Sequence, residues 1–519
     1  MTLYEKIANQ ISEMIHTGVL KQSEKLPSLR KASQIYGVSP ATVQQAYFLL
    51  ETQGVIYAKE RSGFYINPAF KASESVDTPI TKFSQNAVDF VEDLLQNHSL
   101  SPQPYAAPLS ETSSAIIAKP IKEQDIEMSD FIFSILESHK DASHIPFGSA
   151  FPSPELFPIN HLTDSMAKSL TGLTHASYEL VSDMPGGSRE LARQIELRYR
   201  LNGLRIQRDE LVITSGAMEA LSLSLQATTK PGDLVAIEAP CFYAILQILE
   251  RLQLKAIEIP VDMTTGMDIA YLEDTLNNFD VKAIVLMTKY QNPTGCTMPR
   301  EHLVSLYDLV KAHQVPVIVD DVYSEVYYDS ELPAYLKELD DEGLVLHCDS
   351  FCKSLAPGFR VGWVAAGRYA KQIERLKLMT TISPSVPSQL AISHYLKHRN
   401  YDRHLMRLRA ELQKSQERML EAIAQFFPSG VKATKPMGGY FLWVTLPKEI
   451  DALELYRRAL AKHISIAPGP IFSASQEFRH HIRLNYGLKW TGELDGAMAT
   501  LGQLIEALLL EAGTSTRIN

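Results

Sequence analysis

The apolar positions of the first 70 residues recur at helical spacing. Leu3, Ile7, Ile11 and Ile15 fall on one face of a helix, and Gly18 lies just beyond the last of them. The pattern therefore predicts an amphipathic helix that ends near Gly18.

Two further helices in this segment have clear start signals. Ser28 is placed to cap a helix over residues 29–36. Ser39 and Pro40 occupy the N-cap and the first position of a third helix, which Gly54 closes. Each start signal satisfies backbone N–H groups that a helix leaves free at its beginning.

Two short apolar runs follow the third helix. Residues 55–58 and 64–66 are rich in strand-forming residues, and the polar turn 59–63 separates them. The order helix, helix, tight turn, helix, hairpin is typical of a winged helix-turn-helix. We therefore expect residues 1–70 to form such a unit.

Residues 71–127 have a different composition and predict a linker. The stretch 98–114 is rich in Ser and Pro and shows no periodicity. Residues 88–95 have helical spacing, so the linker is expected to contain a helix there.

From residue 128 the chain alternates short β-rich runs with helical stretches such as 219–228 and 302–313. The runs that predict buried strands are 211–214, 234–237, 283–287, 315–319 and 344–347. Such alternation favours an α/β domain with a mostly parallel sheet covered on both faces. Ligands of such sheets bind at the carboxyl ends of the strands.

Composition and charge refine this picture. The chain has 519 residues and a net charge of −10, so a surface that binds nucleic acid throughout is excluded. Residues 1–70 nevertheless carry seven Lys/Arg against five Asp/Glu, a balance of +2 that leaves −12 for the remainder. A basic segment on an acidic protein favours a local contact with DNA.

The cellular setting follows from the apolar runs and the cysteines. No apolar run approaches the roughly 18 residues of a membrane span, and the first residues lack a signal core. Four cysteines without a C-x-x-C spacing predict neither a disulfide framework nor a metal site. We expect a cytoplasmic protein without a metal. Cys352 and Cys296 lie beside the motifs described next, which makes redox sensitivity one interpretation. The simpler interpretation is that both are small buried side chains.

The candidate chemistry begins where a predicted strand ends at Thr214. Ser215, Gly216 and Ala217 form a small-residue turn before a helix, and a helix N-terminus attracts phosphate. An ordinary strand-to-helix turn has the same pattern, so this motif alone decides nothing.

Two further motifs follow predicted strands. Asn292 lies in a Gln-Asn-Pro-Thr-Gly turn, where its amide can donate to a ligand oxygen. Asp320 ends a buried strand, with Tyr323 three residues later. A carboxylate there requires a cation partner because its desolvation is costly, unless it only caps a turn.

The last two motifs are cationic. Lys353 has Ser350 three residues before it and Arg360 seven residues after it, which suits a phosphate shell around a nucleophilic amine. Arg483 lies in the middle of a predicted strand, where a buried guanidinium favours a carboxylate partner.

Together the five motifs resemble, in order and spacing, the fold type I aminotransferases that depend on pyridoxal 5'-phosphate (PLP). The resemblance covers residues 128–515. It implies a large domain with a mostly parallel sheet and a smaller α+β C-terminal subdomain. The residues that it places on the cofactor are Ser215, Gly216, Ala217, Tyr178, Phe242, Asn292, Asp320, Tyr323, Ser350, Lys353 and Arg360.

The resemblance also implies roles. Lys353 would form the internal aldimine, Asp320 would keep the pyridine nitrogen protonated, and Tyr323 would contact the ring oxygen with Asn292. Phe242 would cover the ring face, with Tyr243 the weaker candidate. Arg483, with Asn292, would bind a substrate carboxylate. Ala150 stands where the family commonly has Gly, which affects the substrate geometry. The family also implies a homodimer.

The N-terminal unit resembles the GntR type of winged helix, on Leu26-Pro-Ser-Leu-Arg, Gly37-Val-Ser and Arg61-Ser-Gly-Phe. The third helix would then enter the major groove. The residues placed on DNA are Arg30, Ser39, Thr42, Gln44, Lys59, Arg61 and Ser62. Pro40 replaces an Arg that the family often has, so one phosphate contact is missing. A mere docking domain is the alternative.

A GntR-type head joined to an aminotransferase-like body resembles the MocR/GabR regulators. That resemblance implies a regulator in which PLP, or its adduct with an amino compound, biases DNA affinity. Two alternatives stay open. One is a working aminotransferase that its head tethers to DNA, since Lys353, Asp320 and Arg483 are all present. The other is a sensor of PLP itself.

Overall fold

The computed structural model describes most of the chain as two compact units. The described residues are 3–59, 62–68, 129, 132–133, 143–171, 186–328 and 332–515. The chain divides into Met1–Gln124 and Asp125–Asn519. The expected linker helix over residues 88–95 lies outside the described residues.

The N-terminal unit has the predicted order of elements. Its helices and strands are α1 (Leu3–His16), α2 (Leu29–Ile35), α3 (Pro40–Thr52), β1 (Ile56–Lys59) and β2 (Gly63–Ile66). Strands β1 and β2 pair antiparallel as a hairpin. The winged helix-turn-helix prediction is therefore confirmed, with boundaries within about two residues.

Side-chain caps and a small apolar core hold this unit together. The hydroxyl of Ser28 accepts from the backbone N–H of Lys31, and that of Ser39 accepts from Thr42. Helix α1 packs on α3, where Ile11 and Val43 are buried. The hydrogen bond of an N-cap contributes about 1 kcal/mol to a helix start, so both predicted start signals also stabilise the unit.

The C-terminal unit is an α/β domain in which helices alternate with strands. Its helices are α4 (Ile159–Leu170), α5 (Arg189–Leu201), α6 (Ala217–Thr228), α7 (Tyr243–Arg251), α8 (Ile269–Asn278), α9 (Arg300–His313), α10 (Ala370–Thr380), α11 (Val386–His398), α12 (Tyr401–Phe426), α13 (Ala452–Leu460) and α14 (Gly492–Ser515). Its strands are β3 (Ile145–Pro146), β4 (Leu211–Thr214), β5 (Leu234–Ala239), β6 (Lys255–Asp262), β7 (Gly266–Met267), β8 (Val281–Leu286), β9 (Val317–Asp320), β10 (Val345–Ser350), β11 (Gly362–Ala365), β12 (Lys432–Ala433), β13 (Phe441–Thr445), β14 (Ile464–Ser465), β15 (Ala467–Pro468) and β16 (His481–Asn485).

The main sheet has eight strands in the order β4-β11-β10-β9-β8-β5-β6-β7. Strands β10, β9, β8, β5 and β6 pair in parallel. Strand β11 is antiparallel to both β10 and β4, and β7 is antiparallel to β6. The mostly parallel sheet predicted from the alternation of elements is confirmed.

A second sheet belongs to the C-terminal part of the domain. It has the order β12-β13-β16-β15, and its pairings are antiparallel. Helices α12 and α13 both pack on α14. This sheet with its helices is the smaller α+β subdomain, and β16 delivers Arg483 in mid-strand as predicted. Within the described residues, no helix is long and apolar enough to cross a membrane.

Candidate functional site

The register of the main sheet brings three predicted motifs to one edge. Thr214 at the end of β4 pairs with Gly362, and Gly362 pairs with Ser350 at the end of β10. Thr214 and Ser350 therefore end their strands in the same row. Ser215 follows directly beyond this row, although 135 positions separate it from Ser350 in the numbering. On the next strand pair, Cys348 lies opposite Asp320.

The turn before α6 and Arg360 form a cradle that a side chain would fill. Gly216 has φ of +90°, and a Cβ at this position would lie 2.7 Å from Nη2 of Arg360. The same Arg360 nitrogen is 3.5 Å from the carbonyl oxygen of Ser215. The first N–H groups of α6 have no acceptor within their own helix. A guanidinium facing a helix N-terminus across a glycine is suited to an anion such as phosphate.

Ser350 and Cys352 complete this side of the cradle. The Ser350 hydroxyl oxygen accepts from the N–H of Cys352 at 3.4 Å. A second Arg360 nitrogen, Nη1, is 3.4 Å from the Cys352 sulfur. Ser350 is buried, so solvent does not compete for its hydroxyl.

Lys353 lies beside the segment that precedes α4. Its amine donates to the carbonyl oxygen of Ala150 at 2.8 Å and lies 4.2 Å from the ring centroid of Phe151. Burial lowers the pKa of Lys353 to about 8, the nearby Arg483 acts in the same direction, and Asp320 opposes both. A lysine with this pKa is partly unprotonated near neutral pH. The unprotonated amine is the form that attacks a carbonyl carbon.

Asp320 is a buried carboxyl group at the end of β9. Burial raises the pKa of Asp320 to about 7, and Asp321 adds to this rise while Lys353 opposes it. Within the part of the chain that the structure describes, its one hydrogen bond is a long one, from the N–H of Val322 at 3.5 Å. Among the described residues no cation lies within ion-pair distance of it. The expected cation partner is therefore not a protein side chain in this part of the chain.

Arg483 is a fully buried cation on β16. Its Nη1 donates to the side-chain oxygen of Asn292 at 2.9 Å, and its Nη2 donates to the carbonyl oxygen of Gly148 at 2.6 Å. Its Nε is buried and has no hydrogen-bond partner in the described part of the chain. The carboxylate partner expected from the sequence is not present among the described residues, so the guanidinium keeps donor capacity for an anionic ligand.

Aromatic rings line the space between these groups. Tyr323 is buried and lies edge-on to Tyr440, with ring centroids 5.1 Å apart. Phe242 is partly buried at the start of α7, 4.8 Å from the ring of Tyr243. Burial raises the pKa of Tyr243 and the charge of Arg483 lowers it, which places Tyr243 near that guanidinium.

These features fit PLP. The cradle fits a phosphate, the unpaired Asp320 fits a protonated ring nitrogen, and Arg483 fits a carboxylate. Tyr178 lies outside the described residues. The structure thus brings together the other predicted cofactor residues.

A buried polar network behind the site was missed from the sequence. Nε1 of Trp363 donates to the Tyr199 hydroxyl oxygen at 2.9 Å, and that hydroxyl lies 2.6 Å from Nδ1 of His347. Nε2 of His347 lies 3.1 Å from Asp321, which also pairs with the fully buried Lys289 at 3.4 Å. The available signal was Asp321 itself, a second carboxylate directly after Asp320.

The network has a single consistent proton arrangement. Burial lowers the pKa of His347, so its ring is neutral. The Tyr199 hydroxyl accepts from Trp363 and donates to Nδ1, which leaves the proton of the ring on Nε2 for Asp321. Burial would raise the pKa of Asp321, but Lys289 and His347 outweigh it and lower the pKa to about 2. Asp321 therefore remains ionised.

The predicted DNA-contacting residues lie in the N-terminal unit. Arg30, Ser39, Gln44 and Lys59 are exposed, whereas Thr42 and Ser62 are half-buried. Three of these polar groups also have partners within the unit. The hydroxyls of Ser39 and Thr42 lie 2.9 Å apart, and that of Ser62 lies 2.7 Å from the Tyr65 hydroxyl. Arg61 lies outside the described residues.

Comparison with known families divides the chain in the same way. Residues 3–66 match the family of bacterial regulatory proteins, gntR family. Residues 182–495 match aminotransferase class I and II.

Proteins similar over the whole length combine both parts. The chain is 40% identical to the uncharacterized HTH-type transcriptional regulator YdcR of Escherichia coli (strain K12), over 98% of this chain and 100% of the relative. It is 32% identical to the uncharacterized HTH-type transcriptional regulator YjiR of the same strain, over 97% and 99%.

Two solved structures similar to this chain are aminotransferases. A multiple substrate aminotransferase from Thermococcus profundus has a TM-score of 0.67 and 28% identity, covering 73% of this chain and 95% of its own. The kynurenine aminotransferase of Pyrococcus horikoshii, in complex with PMP, has a TM-score of 0.67 and 29% identity, covering 73% and 94%. These neighbours and the family model imply the use of PLP. The chain belongs to the class I and II aminotransferase family and carries a gntR-family helix-turn-helix domain at its N-terminus.

Proposed function

We propose that the protein is a transcriptional regulator that contacts operator DNA through residues 1–70 and binds PLP in residues 128–515, joined by a linker over 71–127. The observation that carries this proposal is the gntR-family domain on a body that keeps Lys353, Asp320 and Arg483 in one site. Relatives of the same two-part construction are named transcriptional regulators.

In the N-terminal unit we assign DNA contacts by position. Arg30 on α2 and Lys59 on β1 are exposed cations suited to phosphates. Arg61, which lies outside the described residues, is a third candidate from the sequence. Ser39, Thr42 and Gln44 lie on the first turns of α3, the helix that enters the major groove in this type of domain. Ser62 lies in the turn between β1 and β2, and this hairpin is the wing of the domain.

In the body we assign each residue to one part of the cofactor. Ser215, Gly216, Ala217, Ser350 and Arg360 hold the phosphate, because they form the cradle around a helix N-terminus. Tyr178 is proposed to reach the phosphate of the other subunit in a homodimer.

Five residues act on the ring and the amine. When bound, PLP supplies an electron sink for bonds at the carbon that carries the amino group. Asp320 holds the proton of the ring nitrogen, and Lys353 provides an amine that can hold or release a proton near neutral pH. Asn292 and Tyr323 orient the ring through its oxygen, while Phe242 covers one face.

Arg483 gives the site its preference for an acidic group on the ligand. Its buried guanidinium has an unpaired Nε among the described residues and lies 4.3 Å from the ring centroid of Phe441 and 5.2 Å from that of Phe472. An amino acid offers both an amine for the cofactor and a carboxylate for Arg483. We therefore propose an amino acid or a similar amino compound as effector, and a cytoplasmic location where operator DNA is found.

Catalytic transamination is the second candidate function. The same three residues, Lys353, Asp320 and Arg483, favour it, and the neighbours in structure are aminotransferases. Steady-state turnover of an amino acid and 2-oxo acid pair would support an enzyme. A sensor of PLP itself uses the same residues and differs only in its ligand.

The regulatory proposal is tested by operator binding of the purified full-length protein with and without PLP and across a panel of amino compounds. We expect at least one amine that changes both the absorbance of the bound cofactor and the DNA affinity. Identical DNA binding in every condition would contradict a regulatory role of the cofactor site.

Arg30→Ala tests the head separately. Removal of an exposed phosphate contact is expected to weaken binding to all DNA sequences alike and to lower the salt dependence by about one ion. PLP uptake should stay unchanged, as read from absorbance. Lys371→Ala, an exposed lysine on α10, is the matched control with unchanged DNA affinity. Loss of PLP binding in Arg30→Ala would assign it a structural role instead.

A further inference from the structure

The exposed face of α3 carries no charge. Gln44, Gln45, Phe48 and Thr52 are exposed, whereas Val43, Ala46, Tyr47 and Leu50 are fully buried. At 3.6 residues per turn the four exposed residues lie within an arc of about 100°. This arc, which we name the reading face, is the side of α3 that remains available to a partner.

Phe48 is the unusual member of the reading face. It is 68% exposed, one turn beyond Gln44 on the same side of the helix. Tyr47, the aromatic residue directly before it in the chain, is by contrast buried and donates its hydroxyl to the carbonyl oxygen of Pro27 at 2.9 Å. Phe48 therefore contributes little to the core of the domain.

The helix also lacks the side chains that read guanine. The segment Pro40–Thr52 contains no Lys and no Arg, and its acidic residue Glu51 accepts from the N–H of Ala58 at 2.9 Å, towards the wing. The exposed cations lie on the other elements, with Arg30 on α2 and Lys59 on β1. The cations suited to phosphates therefore lie on α2 and β1, whereas the side chains available to bases lie on α3.

We propose that the reading face of α3 selects A·T base pairs, with Gln44 and Gln45 donating to and accepting from adenine and Phe48 packing on thymine methyl groups. An amide offers a donor and an acceptor in one plane, which matches N7 and N6 of adenine in the major groove. The thymine methyl is the one apolar group there, and a phenyl ring is a suitable partner for it. Guanine is read best by Arg or Lys, which α3 does not provide.

This inference rests on the proposed DNA-binding function. The first experiment enriches DNA from a random duplex pool on the full-length protein with PLP. We expect the enriched half-site to consist of A·T pairs at the positions that α3 contacts. Enriched sites with G·C pairs at these positions would overturn the base preference alone. The absence of any enrichment would overturn the DNA-binding function as well.

The second experiment replaces thymine by uracil in the enriched site, which removes only the methyl group. Loss of one buried methyl corresponds to a decrease in affinity of about fourfold for the unchanged protein. Phe48→Ala should bind the thymine and uracil sites equally. An equal loss in both proteins would overturn the assignment of Phe48.

Glutamine variants complete the test. Gln44→Ala and Gln45→Ala are each expected to lose about tenfold in affinity for the enriched site and to tolerate other bases at one position. Gln53→Ala is the matched control, because Gln53 is exposed, lies nine residues after Gln44 and points to the opposite side of the helix axis. Unchanged selectivity in both glutamine variants would overturn their role. Helix content and PLP absorbance show that each variant is folded.

Discussion

Two lysines lie close to the strand ends, and their partners and exposure distinguish them. The amine of Lys353 contacts the carbonyl oxygen of Ala150 and the ring of Phe151, without an ion pair among the described residues. The amine of Lys289 pairs with the carboxylate of Asp321. Burial lowers the pKa of Lys289 to about 8, as it does for Lys353, although Asp321 opposes this shift. Lys289 is fully buried whereas Lys353 is half-buried, so Lys353 is the more accessible nucleophile.

This difference predicts the position of the covalent attachment. Lys353→Ala is expected to abolish the visible absorbance of bound PLP while the fold is retained. Borohydride reduction of the unchanged holoprotein, followed by peptide mass spectrometry, should find the cofactor on Lys353. Label on Lys289, or an unchanged spectrum of the Lys353→Ala protein, would contradict the assignment.

Asp320 predicts an unusual effect on stability. Its folded pKa of about 7 lies above the ordinary value of 3.8, so between these pH values the folded protein holds a proton that the unfolded chain has lost. The stability of the cofactor-free protein therefore falls as pH rises from about 4 to about 7 and changes no further through this group.

Asp320→Asn removes that penalty. We expect the variant without cofactor to be more stable than the unchanged protein at pH 8, by up to about 4 kcal/mol, and nearly equal to it at pH 4. It should also bind PLP more weakly, because the partner of the ring nitrogen is lost. Melting temperatures over pH 4–8 and PLP titration measure both effects. A variant less stable than the unchanged protein at pH 8 would show that Asp320 is a structural residue.

At the scale of elements, the polar network joins α5, β9, β10 and β11 behind the site. Tyr199 on α5 is both the acceptor for Trp363 on β11 and the donor to His347 on β10. His347 in turn contacts Asp321, directly after β9. The network therefore fixes the strand ends that carry Asp320 and Ser350.

Tyr199→Phe is expected to destabilise the body by about 1–3 kcal/mol, because it leaves Nε1 of Trp363 and Nδ1 of His347 buried without partners. Denaturant unfolding followed by tryptophan fluorescence measures the change. Tyr395→Phe is the matched control, since Tyr395 is buried in the same apolar cluster and its hydroxyl forms no hydrogen bond within the described residues. Equal effects of the two substitutions would argue against the network.

The elements also show which parts of the fold the sequence can predict. Helix α3 begins at Pro40 as predicted, because its N-cap Ser39 acts locally. Strand β11 was missed, since its four residues Gly362–Ala365 follow a turn-rich segment and gain strand geometry only by pairing with β4 and β10. Local signals predict element starts, whereas pairing partners are decided by the whole sheet.

The candidate site shows the same division. The residue types after each strand predicted which side chains share the edge of the sheet, because parallel strands end there together. The contact between Lys353 and Ala150 was not predictable, since the two residues are 203 positions apart and no pattern joins them. The absence of a carboxylate partner for Arg483 among the described residues was not predictable either. It depends on which side chains the whole fold places beside the guanidinium.

At the scale of the whole molecule, the DNA-binding segment and the rest of the chain carry net charges of opposite sign. The net charge of −10 combines +2 in residues 1–70 with −12 in the remainder. An acidic body is repelled by DNA, so affinity has to come from the contacts of the N-terminal unit. A regulator built in this way can respond to its ligand only if ligand binding in the body changes the affinity of the N-terminal unit for DNA.

Such coupling has to be reciprocal, which gives a strict prediction. If an amine changes the operator affinity of the PLP-bound protein by a given factor, the operator must change the affinity for that amine by the same factor, typically about 5- to 150-fold. Absorbance titrations of the bound cofactor with and without operator DNA measure one factor, and DNA titrations with and without the amine measure the other. Arg30→Ala weakens the DNA contact, so the amine affinity of this variant should be unchanged when DNA is absent. A higher operator concentration should then be needed to change its amine affinity. Two unequal factors for the unchanged protein would mean that the amine is being consumed by turnover rather than bound at equilibrium, which would favour the aminotransferase function over regulation.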